Sequence, residues 1–252
     1  MTPSPLRDLP LSTLKLIATD MDGTLTQGEK FTSDVLAALA QSPLPVVITT
    51  GRSAGWVSGL AQYLPVAGAI AENGGIFYSP EQSQGELLGA IANITAHRQA
   101  LAQFFAQLQQ HWPQLKPSPD NAFRLTDWTF DIHLLAANEI AQCAAACADA
   151  GWGFTYSTVQ GHLKLQAQDK AQGLKTVLAR QFPAVQPHEV LTIGDSPNDE
   201  SLFNPEVFPV SVGVQNIQTY QQKMRHFPRY LTTSEEGAGF CELMAIVGDH
   251  FQ

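Results

Sequence analysis

The chain has 252 residues, of which 44% are hydrophobic and 15% are charged, and its formal net charge is −9. This is the composition of an ordinary globular protein, and the length fits one large domain or two small ones. Nonspecific nucleic-acid binding is disfavoured, because contacts with phosphate backbones need a surplus of lysine and arginine. A phosphorylated substrate would have to bind at a local site, helped by a cation.

The apolar segments and two of the cysteines indicate where the protein is located and how its thiols are used. The first 15 residues lack the apolar region of a signal peptide, and no apolar run approaches the roughly 18 residues that a membrane span needs. We therefore expect a cytoplasmic monomer or homodimer with no membrane or nucleic-acid partner. Cys143 and Cys147 lie in an alanine-rich predicted helix, where buried thiols packed as small apolar groups are the expectation.

Strand–helix alternation dominates the first 78 residues. Continuous apolar runs predict buried strands, and apolar residues at helical spacing predict helices between them. The strands are expected at 14–20, 44–51, 66–75 and 76–79, and the helices at 32–42 and 53–64. Continuous apolar strands that alternate with helices are typical of a parallel α/β sheet.

The pattern changes between residues 79 and 166. Phe130, Ile132 and Leu134 alternate with polar residues, which indicates a sheet with one wet face and therefore an antiparallel pairing. Helices are expected at 96–111 and 138–151, and strands at 122–126, 128–136, 152–158 and 161–167. This segment is predicted to be a separate α+β insert.

The parallel pattern then returns, with a helix expected at 171–182, a buried strand at 189–195, a helix at 198–204 and a strand at 207–213. The predicted fold class is α/β: a Rossmann-like parallel-sheet core (1–78 and 167–252) with an inserted α+β cap (79–166).

Polar residues follow the predicted strands, at the sheet edge where α/β proteins form their sites. Asp20 and Asp22 end the first strand, and residues two apart share a strand face. Two close carboxylates raise each other's pKa unless a cation intervenes, and Mg²⁺ prefers oxygen ligands. One carboxylate could then act as a nucleophile and the other could transfer a proton.

Three further segments add chemistry at the same edge. The stretch "TTGR" (49–52) offers a hydroxyl, a glycine and an arginine that can bind phosphate oxygens. Lys170 begins a helix, where an ammonium can neutralise a nucleophile and a phosphoryl group. Asp195 ends a buried strand beside Asp20 and is a natural metal ligand, with Asp199 close behind.

A calcium-binding loop is the alternative for each acidic stretch, but it fails on spacing. In the loop that begins at Asp20, the sixth position is Leu25 and the twelfth is Phe31, where an EF-hand needs glycine and glutamate. In the loop that begins at Asp195, Pro197 and Glu200 fail in the same way.

Together the motifs resemble those of the haloacid dehalogenase superfamily of phosphatases. "DMDGT", "TTGR", Lys170 and "GDSPND" stand in the family's order, and "AENGG" (71–75) resembles the Glu-Asn-Gly-Ala signature of the Cof-type, type IIB branch, whose cap is of type C2B. Gly75 replaces the usual alanine, and we expect that change to be harmless. The short cap and the tail are similar to those of sucrose-phosphate and mannosyl-3-phosphoglycerate phosphatases, and "DMDGTLT" locally resembles eukaryotic-type phosphomannomutases.

The resemblance implies a role for each motif residue. Asp20 is the implied nucleophile, Asp22 the general acid/base and Lys170 the stabilising cation, and Thr50, which directly precedes Gly51, is expected to bind the phosphoryl group. The implied Mg²⁺ site comprises Asp20, Asp22 (through its backbone carbonyl), Asp195 and Asp199. The predicted substrate-binding residues are Gly51, Arg52, Glu72, Asn73 and Asn198 in the core, and Arg124, His162 and Lys164 in the cap; His133 is a further cap candidate.

The sequence thus predicts a Mg²⁺-dependent phosphatase of a small phosphate ester, such as a sugar phosphate or a glycosyl-phosphoglycerate. A phosphomutase would pass the same aspartyl-phosphate to a sugar hydroxyl. A receiver-type signalling module shares the Asp, Thr and Lys but would be about half as long and lack the cap. A metabolite sensor without catalysis is the last alternative, and the intact Asp20 and Asp22 argue against it.

Overall fold

The computed structural model describes residues 3–82, 84–156 and 160–251. Its larger sheet has eight strands in the order β11-β10-β9-β1-β2-β3-β4-β5. The pairs from β11 to β3 are parallel, and β4 and β5 add an antiparallel edge. The strands are β1 (Leu16–Thr19), β2 (Val46–Thr49), β3 (Gly68–Ala71), β4 (Ile76–Tyr78), β5 (Glu86–Leu87), β9 (Val190–Gly194), β10 (Val210–Gly213) and β11 (Tyr230–Leu231).

Helices cover both faces of this sheet, because its central strands are apolar on both sides. Ile17 and Ile48 pack on one face with helices α1 (Ser33–Ala40), α2 (Ala54–Tyr63) and α6 (Glu236–Phe251). Leu16 and Val47 pack on the other with α5 (Lys170–Gln181) and a 3-10 helix at Pro197–Phe203. This layered arrangement confirms the predicted α/β class.

A three-stranded antiparallel sheet, ordered β6-β8-β7, forms a second unit. Its strands are β6 (Asp127–Asp131), β7 (Trp152–Tyr156) and β8 (Gln160–Leu165). Helices α3 (Ile94–His111) and α4 (Ala137–Asp149) share its apolar core, in which Phe130, Leu163 and the thiols of Cys143 and Cys147 are buried. The packing role predicted for these two cysteines is thus confirmed.

The insert departs from prediction in three places. The strand predicted at 122–126 is not formed: a 3-10 helix at Pro119–Phe123 is followed by a bend at residues 125–126, which pairs with no strand in the described part of the chain. The strand predicted at 128–136 ends at Asp131. Strand β5 (Glu86–Leu87) pairs with the larger sheet, and we therefore propose that the cap begins after Leu87 rather than at 79. Part of the predicted strand 152–158 lies outside the described residues.

The predicted helix at 198–204 is the 3-10 helix Pro197–Phe203. Further 3-10 helices lie at Leu6–Asp8, Leu11–Thr13, Pro187–Glu189 and Gln215–Lys223. None of the helices in the described part of the chain is long and apolar enough to cross a bilayer.

Candidate active site

Three buried carboxylates converge at the carboxyl edge of the larger sheet. Asp20 follows β1, Asp195 follows β9, and Asp199 lies in the 3-10 helix that comes next. One oxygen from each lies within 4.8 Å of the other two. Strands β1 and β9 are parallel neighbours in the sheet, so their ends meet although 175 residues separate Asp20 from Asp195 in sequence.

Lys170 lies between two members of this cluster. Its Nζ is 2.5 Å from Asp20 Oδ1 and 2.6 Å from Asp199 Oδ1, and its side chain is fully buried. The two carboxylates keep the pKa of the ammonium above its ordinary range even though burial acts in the opposite direction. Three carboxylates around one ammonium leave a surplus of two negative charges.

Burial is the main reason why two of these acids have a raised pKa. It raises the pKa of Asp20 to about 7, with the charge of Lys170 acting in the opposite direction and the charges of Asp199 and Asp22 adding to the effect of burial. Burial and the charges of Asp20 and Asp199 raise the pKa of Asp195 well above its usual range. A divalent cation would remove this cost, and three carboxylate oxygens are donors that Mg²⁺ prefers. The residues therefore fit the predicted metal.

Asp199 fixes the position of the backbone around Asp195. Its second oxygen accepts hydrogen bonds from the backbone N–H groups of Asp195 (3.0 Å) and Ser196 (3.1 Å). The Asp195 carboxylate accepts from Asn216 Nδ2 at 3.0 Å and from Thr24 Oγ1 at 3.4 Å. Asn216 also donates to the Gly23 carbonyl, so it ties the two halves of the cluster together.

The Asp22 side chain does not join the carboxylates that the structure groups together. It lies in a turn after β1, so the strand alternation that predicted a shared face with Asp20 does not extend to it. Its carboxylate accepts hydrogen bonds from Arg52 Nε (3.0 and 3.1 Å) and Nη2 (2.6 Å). The Arg52 guanidinium also lies 5.5 Å from the ring centroid of Trp56.

The "TTGR" segment follows β2, and both threonines are fully buried. Thr50 Oγ1 accepts from the Arg52 N–H at 3.1 Å, whereas Thr49 Oγ1 has no hydrogen-bond partner within residues 3–82, 84–156 and 160–251. The Asn73 side chain lies against Gly51, where a Cβ would be 3.2 Å from Asn73 Nδ2. Asn198 Nδ2 donates to Asn73 Oδ1 at 3.3 Å, which brings together three of the predicted substrate-binding residues.

The structure gives the Glu72 carboxylate donors from the protein itself, whereas the sequence assigned Glu72 to substrate binding. Its carboxylate accepts hydrogen bonds from the backbone N–H groups of Leu125, Thr126 and Asp127, from Thr126 Oγ1 and from the Ala54 N–H. The residue is fully buried. It fastens the bend at residues 125–126 of the insert to the first turn of α2.

Arg124 is likewise occupied by protein partners. Its guanidinium donates to the Gly51 carbonyl at 3.0 Å, to Asp127 at 2.9 Å and to Asp120 at 2.7 Å. The charges of Asp127 and Asp120 raise its pKa against the effect of burial. The prediction placed Arg124 on the substrate; in the structure it positions Gly51 and Asp127.

His162 and Lys164 project from the polar face of the small sheet towards the core. His162 Nδ1 donates to Asp127 Oδ2 at 2.9 Å, because Arg124 and His162 hold the pKa of that buried carboxyl below its usual value despite burial. Burial lowers the pKa of His162, with Asp127 opposing. The ring is therefore neutral, and its Nε2 is an acceptor. Lys164 Nζ donates to the Gln168 carbonyl, while His133 is exposed after β6.

A cavity of about 660 Å³ opens from the cluster towards the insert. Asp20 and Asp195 lie at its base, and Arg52, His162 and Asn216 also line it. Its other acidic residues are Asp22, Glu29, Asp120 and Glu236. Arg52 is the one permanently charged cation among the described lining residues, so the cavity is strongly acidic.

Sequence reasoning missed the residues that join the insert to the core. Thr126, Asp127 and Gln168 are buried and polar; Gln168 Nε2 donates to the Glu72 carbonyl at 2.6 Å. The residues next to them in sequence do not reveal these contacts, because their partner Glu72 lies tens of residues away in the chain. Asn216 was missed for the same reason.

Comparison with known proteins agrees with this geometry. The sucrose-6F-phosphate phosphohydrolase family model matches residues 13–246. A phosphoglycolate phosphatase of Methanothrix thermoacetophila is 24% identical over 237 residues, 92% of this chain and 96% of its own.

Solved structures show the same fold. A Thermoplasma acidophilum protein aligns with a TM-score of 0.73 and 19% identity, covering 94% of this chain and 98% of its own. The sucrose-phosphatase of Synechocystis, solved with sucrose and phosphate, aligns with a TM-score of 0.65 and 19% identity, covering 94% and 97%. The chain therefore belongs to the sucrose-6F-phosphate phosphohydrolase family, within the haloacid dehalogenase superfamily, and is a phosphoric monoester hydrolase.

Proposed function

We propose that the protein is a Mg²⁺-dependent phosphatase that hydrolyses a sugar phosphate through an aspartyl-phosphate on Asp20. The observation that carries this proposal is the cluster of Asp20, Asp195 and Asp199 around Lys170, whose surplus of two negative charges faces a deep cavity. Asp20 and Asp195 would hold the metal, together with the Asp22 backbone carbonyl that the family resemblance implies. The ion would supply positive charge against the phosphoryl oxygens and the buried carboxylates.

Asp20 is the nucleophile in the proposed reaction. Its carboxylate oxygen forms a bond to phosphorus as the ester oxygen leaves, and Asp22 gives that oxygen a proton. Asp22 then takes a proton from water, which attacks phosphorus, breaks the bond to Asp20 and releases inorganic phosphate. Lys170 stabilises the charge on Asp20 and on the phosphoryl group in both steps, and Thr50 and the Gly51 N–H would hold the phosphoryl oxygens, as the family resemblance implies.

The charge of the cavity supports a neutral, hydroxyl-rich leaving group. Asp120, Glu29 and Glu236 offer acceptors to hydroxyl donors, and so does the Nε2 of His162. A leaving group that carries a carboxylate would be repelled by these acidic residues. The one cation among the described residues of the cavity that could bind it is Arg52, and that guanidinium is already paired with Asp22. We therefore favour sugar phosphates over phosphoglycolate and over glycosyl-phosphoglycerates.

The test is phosphate release from sucrose-6F-phosphate, trehalose-6-phosphate, glucose-6-phosphate, phosphoglycolate and mannosyl-3-phosphoglycerate, with and without Mg²⁺. The proposal predicts Mg²⁺-dependent release that favours the sugar phosphates, is lost in Asp20→Asn and is kept in the exposed control Asp249→Asn. Preference for phosphoglycolate would contradict the proposed leaving group. No release from any ester by folded, metal-bound protein would reject hydrolysis in favour of phosphoryl transfer between sugar hydroxyls or of ligand sensing.

A further inference from the structure

A second cavity, of about 480 Å³, lies on the other side of Asn198. Its walls are strands β7 and β8 of the insert, the first turn of α5 and the 3-10 helix Pro197–Phe203. Asn198 is the one described residue that lines both cavities. The second cavity therefore lies at the seam between the insert and the core, outside the region where the proposed leaving group would sit.

The two cavities carry opposite charge. Lys164, Lys170, Lys175 and Arg225 line the second one, although the chain has only 14 lysine and arginine residues and a net charge of −9. Lys170 is paired with Asp20 and Asp199. The other three cations, Lys164, Lys175 and Arg225, also line the cavity and are not paired with those two carboxylates.

Two acids also line the second cavity, and both are hydrogen-bonded to backbone. Glu200 accepts from the N–H groups of Arg225 and His226, and Asp169 caps α5 by accepting from the Gln172 N–H at 2.7 Å. The cavity therefore keeps a surplus of positive charge and of hydrogen-bond donors.

Two residues that line the cavity carry buried donors that are incompletely satisfied. Lys164 is 5% exposed, and its ammonium carries three N–H donors but has the Gln168 carbonyl as its one acceptor in the described part of the chain. Asn73 is 1% exposed, and its Nδ2 has no hydrogen-bond partner among the residues that the structure describes. Buried donors that lack acceptors are costly, and an oxyanion in the cavity would satisfy both.

We propose that this second cavity is a binding site for a small oxyanion, a phosphate or carboxylate group, held by Lys164 and Asn73 from inside and by Arg225 and Lys175 at its mouth. Charge-assisted hydrogen bonds to such a group are among the stronger polar interactions. The bound anion would contact the insert through Lys164 and the core through Asn73, so it would also stabilise the seam between them.

The test uses sodium sulfate as the probe and NaCl of equal ionic strength as the reference, in calorimetric titrations of the intact protein. We expect saturable sulfate binding whose Kd rises at least tenfold in Lys164→Gln and several-fold in Arg225→Gln. Lys116→Gln removes an exposed lysine of the insert that lines neither cavity, and it should leave the affinity unchanged. Because Arg225 is exposed, its variant is expected to fold even if Lys164→Gln does not.

Sulfate affinity that is the same in wild type and in Arg225→Gln, or no binding beyond that of NaCl, would overturn the proposal. Initial rates then identify the source of the anion. Competitive inhibition that weakens in Arg225→Gln would assign the site to a second anionic group of the substrate, whereas binding without competition would assign it to a separate effector. The titrations need no turnover, so the site is tested even if the proposed hydrolysis fails.

Discussion

The carboxylate of Glu72 accepts a 2.5 Å hydrogen bond from the backbone N–H of Thr126, 54 residues further along the chain. The Thr126 hydroxyl donates to the same oxygen at 2.7 Å. A single buried side chain of the core thus accepts the backbone hydrogen bonds of the bend that follows Phe123.

We expect Glu72→Gln to lower the free energy of unfolding by about 2–3 kcal/mol, the scale of hydrogen bonds to a charged group. The amide keeps the shape of the side chain but turns one acceptor into a donor that faces backbone N–H groups. Denaturant unfolding measures the change, with the exposed Glu206→Gln as the matched control. Equal losses in the two variants would mean that Glu72 does not anchor the insert.

Gly75 is required by the packing of the same segment. A Cβ at this position would lie 1.9 Å from Thr126 Oγ1 and 2.8 Å from Gln168 Nε2. The sequence suggested that glycine in place of the family's alanine is a harmless change. In the structure, the glycine leaves the space that Thr126 occupies.

Gly75→Ala should destabilise the protein by about 1–3 kcal/mol, the usual cost of overpacking, and Thr126→Ala should relieve part of that loss. Gly59→Ala is the control: apart from its chain neighbours and its own helix backbone, no atom of the described residues lies within 4 Å of the added Cβ, and as a residue inside α2 it should gain up to about 1 kcal/mol. Thermal unfolding of the four variants, with the double mutant included, measures the coupling. A Gly75→Ala protein as stable as wild type would show that the segment moves freely.

Arg52 should act on catalysis through Asp22. Both side chains are partly exposed (46% and 39%), so the pair contributes less than about 1 kcal/mol to stability. Arg52→Gln should therefore leave the melting temperature nearly unchanged and lower kcat/KM at least tenfold, because the proposed acid/base loses the group that orients it. Lys15→Gln, which breaks the ion pair of the half-exposed Lys15 with Glu189 far from the site, should change neither quantity. A large loss of stability in Arg52→Gln would instead assign the arginine a structural role.

Acid should weaken the seam through His162. Burial places the pKa of His162 in the folded protein below its ordinary value of 6.5. Once the pH falls below about 6.5, the unfolded chain binds a proton that the folded chain does not, so stability decreases as the pH falls. The slope from this one residue is at most about 1.4 kcal/mol per pH unit.

The measurement is the free energy of unfolding between pH 7.5 and 5 for wild type and His162→Gln. The variant should show a shallower dependence, and the exposed His188→Gln should follow wild type. Asp127, whose pKa is lowered, contributes at more acid pH, because its stabilisation is lost as the pH falls below its ordinary value of 3.8. Parallel curves for wild type and His162→Gln would contradict the assignment of a neutral, buried ring.

Metal binding should be visible without turnover. Saturating Mg²⁺ at about 100 times its Kd stabilises the folded state by about 2.7 kcal/mol, so the melting temperature of wild type should rise. Asp195→Asn should lose this response and, without Mg²⁺, should be more stable than wild type because one buried repelling charge is gone. Asp249→Asn is the exposed control. A Mg²⁺-dependent rise that persists in Asp195→Asn would exclude Asp195 as a ligand.

The fold class and the carboxylate cluster could be read from the sequence, because both depend on local patterns. Apolar runs that end in Asp20 and Asp195 mark parallel strands and the edge at which they stop. The seam could not be read in this way. The apolar residues of "AFRLT" predicted a strand, but its backbone donors pair with a carboxylate that lies far away in sequence. The protein partners of Glu72 and Arg124, both predicted to bind substrate, could not be read for the same reason: the sequence does not show which groups surround a buried charge on a loop.

Strand β1 has β2 on one side and β9 on the other, and this has a consequence for how the protein is made. As the chain leaves the ribosome, β1 and β2 emerge early, whereas β9 emerges only after the whole insert. Until then the strand that leads to Asp20, the proposed nucleophile, is an unprotected edge of apolar backbone, the kind of surface that associates with other chains. The same delay means that Asp20 cannot meet Asp195 before most of the protein exists. Phosphatase activity, once measured, will therefore also report that synthesis and folding of the distal third are complete.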